Sequence, residues 1–201
     1  MNNGNFVVEN YAKAEFNLNI NKARIIGIIV LIFSALIFGL PFFILWRENI
    51  QFFQENIVWY RKLINIGIFV LIALLGIIFH EIIHGIFAAI FNKSGFKSIK
   101  FGVLPSKGVA YCVNSEILRK NKYIIGLIMP GIILGIIPSF VSIFTGIFAL
   151  LIFGILFTFA ASGDLLLLIE LQKDKHDSWI EDNVTKSGVK IYIYRQNKLD
   201  T

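Results

Sequence analysis

The sequence predicts an all-α polytopic membrane protein with about four transmembrane helices, and its composition and charge pattern are the reasons. Of its 201 residues, 56% are hydrophobic and 16% are charged, whereas an average soluble domain has about 25% charged residues. The charged residues lie between long blocks that are almost free of charge. Each block is long enough to cross a bilayer, because a transmembrane helix needs about 20 apolar residues.

The uncharged blocks predict where the helices lie. The first two are residues 25–46, which carry no charge, and 63–91, which begin with 17 uncharged residues. A third block, residues 123–169, contains a single charge and is too long for one crossing. Residues that favour a break cluster near its middle: Pro138, Ser139, Ser142, Thr145 and Gly146. We therefore expect a third span at 123–140, kinked at Pro130, and a fourth at 145–171.

The distribution of basic residues predicts the orientation. Four spans put both termini and the loop 92–122 on one side, and 16 of the 19 Lys and Arg residues then lie there. Only Arg47, Arg61 and Lys62 lie on the other side. Since cytoplasmic loops carry an excess of basic residues, we expect a multi-pass protein of the cell membrane with both termini cytoplasmic. The net charge of +6 then favours membrane lipids over nucleic acid as partners.

Two polar segments show the alternation that is typical of β-strands. Residues 99–103 alternate apolar with polar or small residues, 104–108 supply a turn, and 109–113 alternate again. This pattern predicts a small cytoplasmic β-hairpin between the second and third helices. Residues 189–193 predict a short strand in the C-terminal tail. Because the sequence contains no internal repeat or linker, we expect residues 1–201 to form a single membrane-embedded domain.

A five-residue string near the end of the second helix, His80-Glu81-Ile82-Ile83-His84, carries the chemistry. Ionisable side chains within a membrane span are costly to bury and mark functional sites. His80 and His84 are four residues apart, so they share one face of a helix and can hold one metal ion. In zinc hydrolases with the pattern H-E-x-x-H, the glutamate beside the zinc-bound water acts as the general base. We expect His80 and His84 to bind Zn²⁺ and Glu81 to be catalytic.

A catalytic zinc usually has three protein ligands and a water, and Asp164 is the best candidate for the third ligand. It is the only charged residue in 123–169. It follows the small residues Ala160–Gly163, which favour close helix packing. His84 lies eight residues before the polar loop, and Asp164 lies nine residues before the polar tail. On helices that end on the same side, the two side chains would reach about the same depth.

Other polar residues are weaker candidates. Glu170 lies near the membrane edge, where a charge is usually solvated, and His176 lies in the charged tail. Asn114 and Glu116 follow the predicted hairpin and would be in reach of a substrate, but nothing in the sequence separates them from ordinary loop residues.

The motifs also resemble a known family, the "putative zincin peptidase" family of small bacterial membrane proteins, which is distantly similar to the site-2 intramembrane zinc metalloproteases. The matching segments are FHEIIHG (79–85), GFKSIKFGVLPSKGVAYC (95–112), NKYIIGLIMPG (121–131) and ASGDLLL (161–167). The resemblance covers residue 63 to the C-terminus. It implies that His80, His84 and Asp164 bind zinc and that Glu81 is the catalytic carboxylate. Site-2 proteases place glycine after the ligand aspartate, whereas here Gly163 precedes it.

Several functions fit these expectations. The leading hypothesis is a zinc metalloprotease that cleaves a membrane-associated protein or peptide on the cytoplasmic side, with the substrate added to an edge of the hairpin. A zinc hydrolase of a non-peptide membrane substrate would share the metal site. A catalytically inactive metal-binding scaffold is the non-enzymatic alternative. A transporter ranks last, because four spans without a repeat offer little to alternate between.

Overall fold

In the computed structural model of the chain, helices dominate and the strands form two small sheets. The structure describes residues 11–17, 19–47, 58–104, 109–173, 178–182 and 188–194, and the statements below concern these residues.

Three helices are apolar and long enough to cross a membrane. Helix α1 consists of Ile20–Ser34, a π-helical turn at Ala35–Gly39, and Leu40–Trp46. Helix α2 is Trp59–Phe91, and helix α3 consists of Lys120–Pro130, a π-helical turn at Gly131–Ile136, and Ile137–Thr145. Two shorter helices, α4 at Phe148–Ala160 and α5 at Ser162–Lys173, are bent by 42° and form a fourth crossing if they are taken as one broken span.

The sequence places the turn between the third and fourth spans too early. Helix α3 runs through Pro138 to Thr145, and the turn occurs at Gly146. Pro138 lies in the first turn after the π-helical segment, next to a change in the helical hydrogen-bond pattern, which is a usual place for proline in a continuous helix. Gly146 ends the helix with a left-handed φ of 69°, and its N–H bonds the carbonyl of Ser142. The expected kink at Pro130 takes the form of the π-helical turn that follows it.

The break in the fourth span is a feature that the sequence does not predict. Helix α4 ends at Ala160, and Ala161, with ψ 7°, leaves the helical conformation before α5 begins at Ser162. Asp164 consequently lies in the first turn of a new helix. The positive end of a helix dipole is a favourable position for a carboxylate.

The strands lie at one end of the helices and form a two-stranded and a four-stranded sheet. The predicted hairpin is present as β2, Ile99–Leu104, and β3, Val109–Asn114, although its tip at 105–108 lies outside the described residues. The tail strand is present as β6, Gly188–Tyr194. It belongs to a four-stranded antiparallel sheet in the order β1-β6-β5-β4, whose other members are β1, Tyr11–Asn17, β4, Leu118–Arg119, and β5, Trp179–Asp182. The fold is mainly helical, and β1, β4 and β5 are the strands that the sequence does not predict.

This sheet bears on the topology of the helices. It joins a strand before α1 to strands that precede α3 and follow α5, so these ends of the helices lie together, as an even number of crossings requires. Most side chains exposed on α1 and on the first half of α2 are large and apolar, among them Ile28, Phe33, Leu63 and Leu71. By length and composition, these surfaces suit a lipid environment.

Candidate metal centre

The motif lies in the last third of α2, on the side of that helix that faces the rest of the protein. His80 is buried, and His84 one turn later is partly buried. Their rings stand 4.9 Å apart between centroids and nearly perpendicular. The predicted helical spacing therefore brings both imidazoles to one side of α2, as expected for residues at i and i+4.

Asp164 completes the cluster from α5. Its Oδ2 atom lies 3.2 Å from Nε2 of His80 and 3.5 Å from Nε2 of His84. One ligand atom from each of the three residues lies within 4.8 Å of the others. The side chains are 11%, 18% and 24% exposed for His80, His84 and Asp164, so water has limited access. Among the described residues, this is the group of His, Cys, Asp and Glu that could hold a metal ion.

The donor set and its spacing fit zinc. Two imidazole nitrogens and one carboxylate oxygen are ordinary zinc ligands, and a catalytic zinc keeps a fourth position open for water. Two ligand atoms at about 2.0–2.1 Å from a tetrahedral zinc are roughly 3.3–3.4 Å apart. The separations of Asp164 Oδ2 from the two nitrogens, 3.2 and 3.5 Å, are close to that edge length. The three residues could therefore hold one Zn²⁺ ion with small side-chain adjustments.

A hydrogen bond orients the second histidine. Nδ1 of His84 lies 3.0 Å from the carbonyl oxygen of Gly126 on α3. A carbonyl can only accept, so Nδ1 carries the proton and donates it. Nε2 of the neutral ring then keeps its lone pair and points toward Asp164. Such a bond from the far ring nitrogen is the usual support of a metal-binding histidine.

Glu81 lies next to this cluster and faces the hairpin. Its carboxylate interacts with the backbone N–H of Cys112 on β3, and it is partly buried. One turn further along α2, Gly85 leaves room for the side chains of Phe101 and Ile99. The hairpin therefore packs on the same part of α2 that carries the catalytic candidate.

Small residues allow the helices to meet at the cluster. Gly76, one turn before His80, faces the Phe157 ring of α4 so closely that a methyl group would collide with it. Gly126 approaches the backbone of Ala88, and a Cβ atom at Gly131 would lie 3.1 Å from that of Ala161. Close approach of backbones through small residues is the usual packing of helices in membranes, and the sequence predicts it here for Ala160–Gly163.

The structure separates the weaker candidates from the cluster. Glu170 accepts a hydrogen bond from Lys173 Nζ at 2.6 Å, and it is not in the metal-binding group. His176 lies outside the described residues. Asn114 is buried and exchanges side-chain hydrogen bonds with Asn92, and Glu116 accepts the N–H groups of Lys93 and Ser94. These last two residues anchor the hairpin to the end of α2.

Sequence reasoning does not identify two residues that lie near the site. Tyr123 on α3 and Asp182 on β5 are hydrogen-bonded to each other, with 2.7 Å between the phenol oxygen and Oδ1. Tyr123 begins an uncharged block and reads as an interfacial aromatic residue, while Asp182 is one of several acidic residues in the tail. No local pattern marks either of them, because only the tertiary fold joins them.

A comparison with protein families bears on this geometry. Residues 73–179 match the family described as "Putative zincin peptidase", which is more than half of the chain. The chain belongs to this family. The matched segment contains both histidines, Glu81 and Asp164, and it ends within β5, before Asp182. No curated protein and no solved structure gives a match to the chain.

Membership in the zincin peptidase family agrees with the fit of the cluster to zinc and indicates a metallopeptidase. The match begins seven residues before His80 and extends beyond the end of α5. The family relationship therefore covers the part of α2 that bears the motif, the hairpin, α3, α4 and α5, and leaves α1 and the strand pair β1–β6 outside it.

Proposed function

We propose that the protein is a membrane-embedded zinc metallopeptidase that cleaves a peptide bond at the cytoplasmic edge of the cell membrane. The observation that carries the proposal is the position of Asp164, whose Oδ2 lies within 3.5 Å of Nε2 of both motif histidines. In this reading His80, His84 and Asp164 hold one Zn²⁺ ion. When bound, the ion supplies Lewis acidity and lowers the pKa of a coordinated water.

Glu81 is the proposed general base. It directly follows a ligand histidine in the sequence, and its carboxylate is partly buried beside the cluster. Its task is to accept a proton from the attacking water at a carboxylate oxygen and to deliver it to the leaving amine. Among the described residues, the cluster contains one carboxylate, that of Asp164. The proposal assigns Asp164 to the metal, which leaves Glu81 as the neighbouring base.

The outer edge of β3 is the proposed docking position for the substrate backbone. The N–H of Ser115 bonds the carbonyl of Ser98, and in an antiparallel pair the bonding direction alternates along the strand. The N–H groups of Ala110, Cys112 and Asn114 therefore point away from β2. An extended substrate that paired with Cys112 would take the N–H that now faces Glu81, and its scissile bond would pass beside the base.

The cytoplasmic location is supported by charge. The end of the helices that carries the hairpin and the four-stranded sheet is the end next to the loop 92–122 and the tail, which hold most of the basic residues. The positive-inside rule assigns such an end to the cytoplasm. The site lies about two helical turns from Asn92, the residue that follows α2, so water needs to penetrate only a short distance.

The proposal is tested with protein purified in detergent. Zinc is measured by mass spectrometry in the wild type and in Glu81→Gln, and both proteins are incubated with single-span membrane peptides that carry extended cytoplasmic flanks. We expect one zinc per chain in both proteins and cleavage products only with the wild type. Glu170→Gln makes the same chemical change at another carboxylate near the membrane edge and should cleave normally.

Each alternative predicts a different result. Stoichiometric zinc without hydrolysis of any peptide, but with hydrolysis of a lipid-linked substrate, would assign the site to a non-peptide reaction. Zinc without any hydrolysis would favour a metal-binding scaffold. Normal cleavage by Glu81→Gln would contradict the role of the base, and a wild type that binds no zinc would overturn the proposal.

A further inference from the structure

Asp182, near the end of β5, joins two parts of the protein that surround the metal cluster. Its Oδ1 accepts the hydroxyl proton of Tyr123 on α3 at 2.7 Å, and its Oδ2 accepts the backbone N–H of Asn114 on β3 at 2.8 Å. Both bonds span many residues in the sequence, with 59 and 68 positions between the partners. The carboxylate thus connects the four-stranded sheet, called the tail sheet below, to the hairpin and to α3, the helix that orients His84.

The bond to Asn114 lies on the edge of β3 that faces the site. The N–H groups of Cys112 and Asn114 point to the same side of the strand, because they are two residues apart. The first interacts with Glu81 and the second donates to Asp182. Two carboxylates therefore lie along the outer edge of one strand, and Asp182 fixes the position next to the one that faces the base.

We infer that Asp182 is a positioning residue, which holds the outer edge of β3 at a fixed distance from Glu81 and so sets where an extended substrate can pair. This inference rests on the proposed peptidase function. It assigns an active-site role to the tail sheet, because Asp182 belongs to its strand β5. Asp182 contacts neither the cluster nor, in this role, the substrate; it acts through Asn114 and Tyr123.

The chemistry of the two bonds makes Asp182 sensitive to a small substitution. A carboxylate has two acceptor oxygens and accepts both donors. In Asp182→Asn the amide keeps one acceptor and turns an NH₂ group toward the other donor. Because the Tyr123 hydroxyl can accept as well as donate, the nearly isosteric variant can keep both contacts, but only as bonds between neutral groups, which are weaker than bonds to a carboxylate. Burial raises the pKa of Asp182, and the bonds from Asn114 and Tyr123 act in the opposite direction.

The single cysteine of the chain, Cys112, provides a readout that needs no substrate. It lies on β3, two residues before the position that Asp182 anchors, and is partly buried. We would measure the rate at which N-ethylmaleimide labels Cys112 in the purified full-length protein by intact mass. If Asp182 holds the strand, Asp182→Asn should label about tenfold faster or more than the wild type, since the acceptor has lost its charge, its bonds are weaker and the strand opens more often.

Two further variants separate positioning from general loss of structure. Glu181→Gln alters the neighbouring residue of β5, which accepts from Lys190 and Tyr192 within the tail sheet, and it should label at the wild-type rate. Tyr123→Phe removes one donor but keeps the bond to Asn114, so a smaller increase is expected. Equal acceleration in Glu181→Gln and Asp182→Asn would overturn the inference. If Asp182→Asn does not fold, a wild-type rate in Tyr123→Phe would overturn it.

Activity and zinc content complete the test. With the peptide substrates, Asp182→Asn should raise KM more than it lowers kcat, while zinc stays at one per chain. Loss of zinc, or a fall in kcat alone, would contradict a role in placing the strand. If the wild type cleaves no peptide, the proposed function fails, yet the labelling rates still decide whether Asp182 holds β3.

Discussion

Oδ2 of Asp164 lies 3.2 Å from Nε2 of His80, although 84 positions separate the two residues. The break at Ala161 gives Asp164 its place, because it starts a new helix whose first turn holds the carboxylate. The close packing of α2 on α3 and α4 brings His80 to the same level. The cluster therefore depends on a bend in one helix and on small residues in others.

The first prediction concerns the third ligand. Asp164→Asn should lower the zinc content well below one per chain, because a neutral amide is a much poorer zinc ligand than a carboxylate. Zinc is measured after dialysis against a weak chelator. Glu170→Gln, a matched change in the same helix, should retain full zinc. Equal zinc in Asp164→Asn and the wild type would remove Asp164 from the metal set.

The second prediction concerns the contact that brings α2 and α4 together. Gly76→Ala places a methyl group against the buried Phe157 ring and should lower the free energy of unfolding by about 1–3 kcal/mol. Gly67→Ala, on the same helix, meets no atom within 4 Å and should be neutral or stabilising, since alanine favours helices. Thermal unfolding in detergent compares the two. Equal melting temperatures would contradict the proposed packing.

The third prediction is a pH profile for labelling of Cys112. Burial, together with the negative charges of Glu81 and Asp182, raises the pKa of this thiol to about 12. The thiolate is the reactive form, so the labelling rate should keep rising tenfold per pH unit through pH 10. An exposed thiol, with a pKa of about 8.5, would level off near pH 9. A plateau at that pH would show that labelling takes place from an exposed state of the thiol rather than from the buried one.

The raised pKa of Cys112 also determines how the stability of the fold changes with pH. A folded-state pKa above the ordinary value means that the protonated thiol is favoured in the folded protein. Its contribution is complete below about pH 9 and is lost as the pH rises toward about 12. Cys112→Ser should therefore show a smaller loss of stability than the wild type in that alkaline range.

The fourth prediction concerns the anchor between α2 and the hairpin. Glu116 accepts the N–H groups of Lys93 and Ser94, each at 2.9 Å. Although desolvation raises the pKa of Glu116, these bonds lower it below 4.5 overall. A depressed carboxyl pKa contributes stability above pH 4.5 that is lost as the pH falls through the folded-state value. Glu116→Gln should melt a few degrees lower at pH 7, and the difference should shrink in acid. A difference that does not change with pH would contradict this linkage.

Local patterns are sufficient to predict which residues form the cluster. His80 and His84 share a helix face because of their spacing, and Asp164 stands out as a lone charge in an uncharged block. The structure brings these three together. The hairpin also follows from alternation, because its two strands are close in sequence and pair with each other.

Features that depend on distant contacts cannot be predicted in the same way. Pro138 suggests a turn, but the preceding π-helical segment accommodates it and the helix continues. Strand β5 has only four residues, and β1 pairs with β6, which lies far along the chain. Asp182 gains its position only when the tail sheet packs beside β3, so no local pattern indicates it.

The pairing of β1 with β6 has a consequence for biosynthesis. Tyr11 is opposite Tyr194 in this ladder, so β1 can pair only after β6 has been synthesised. The motif histidines likewise precede Asp164 and Asp182 by many residues in the chain. We expect a chain that is truncated before Asp164 to carry the H-E-x-x-H string without the third residue of the cluster, and therefore to bind zinc poorly.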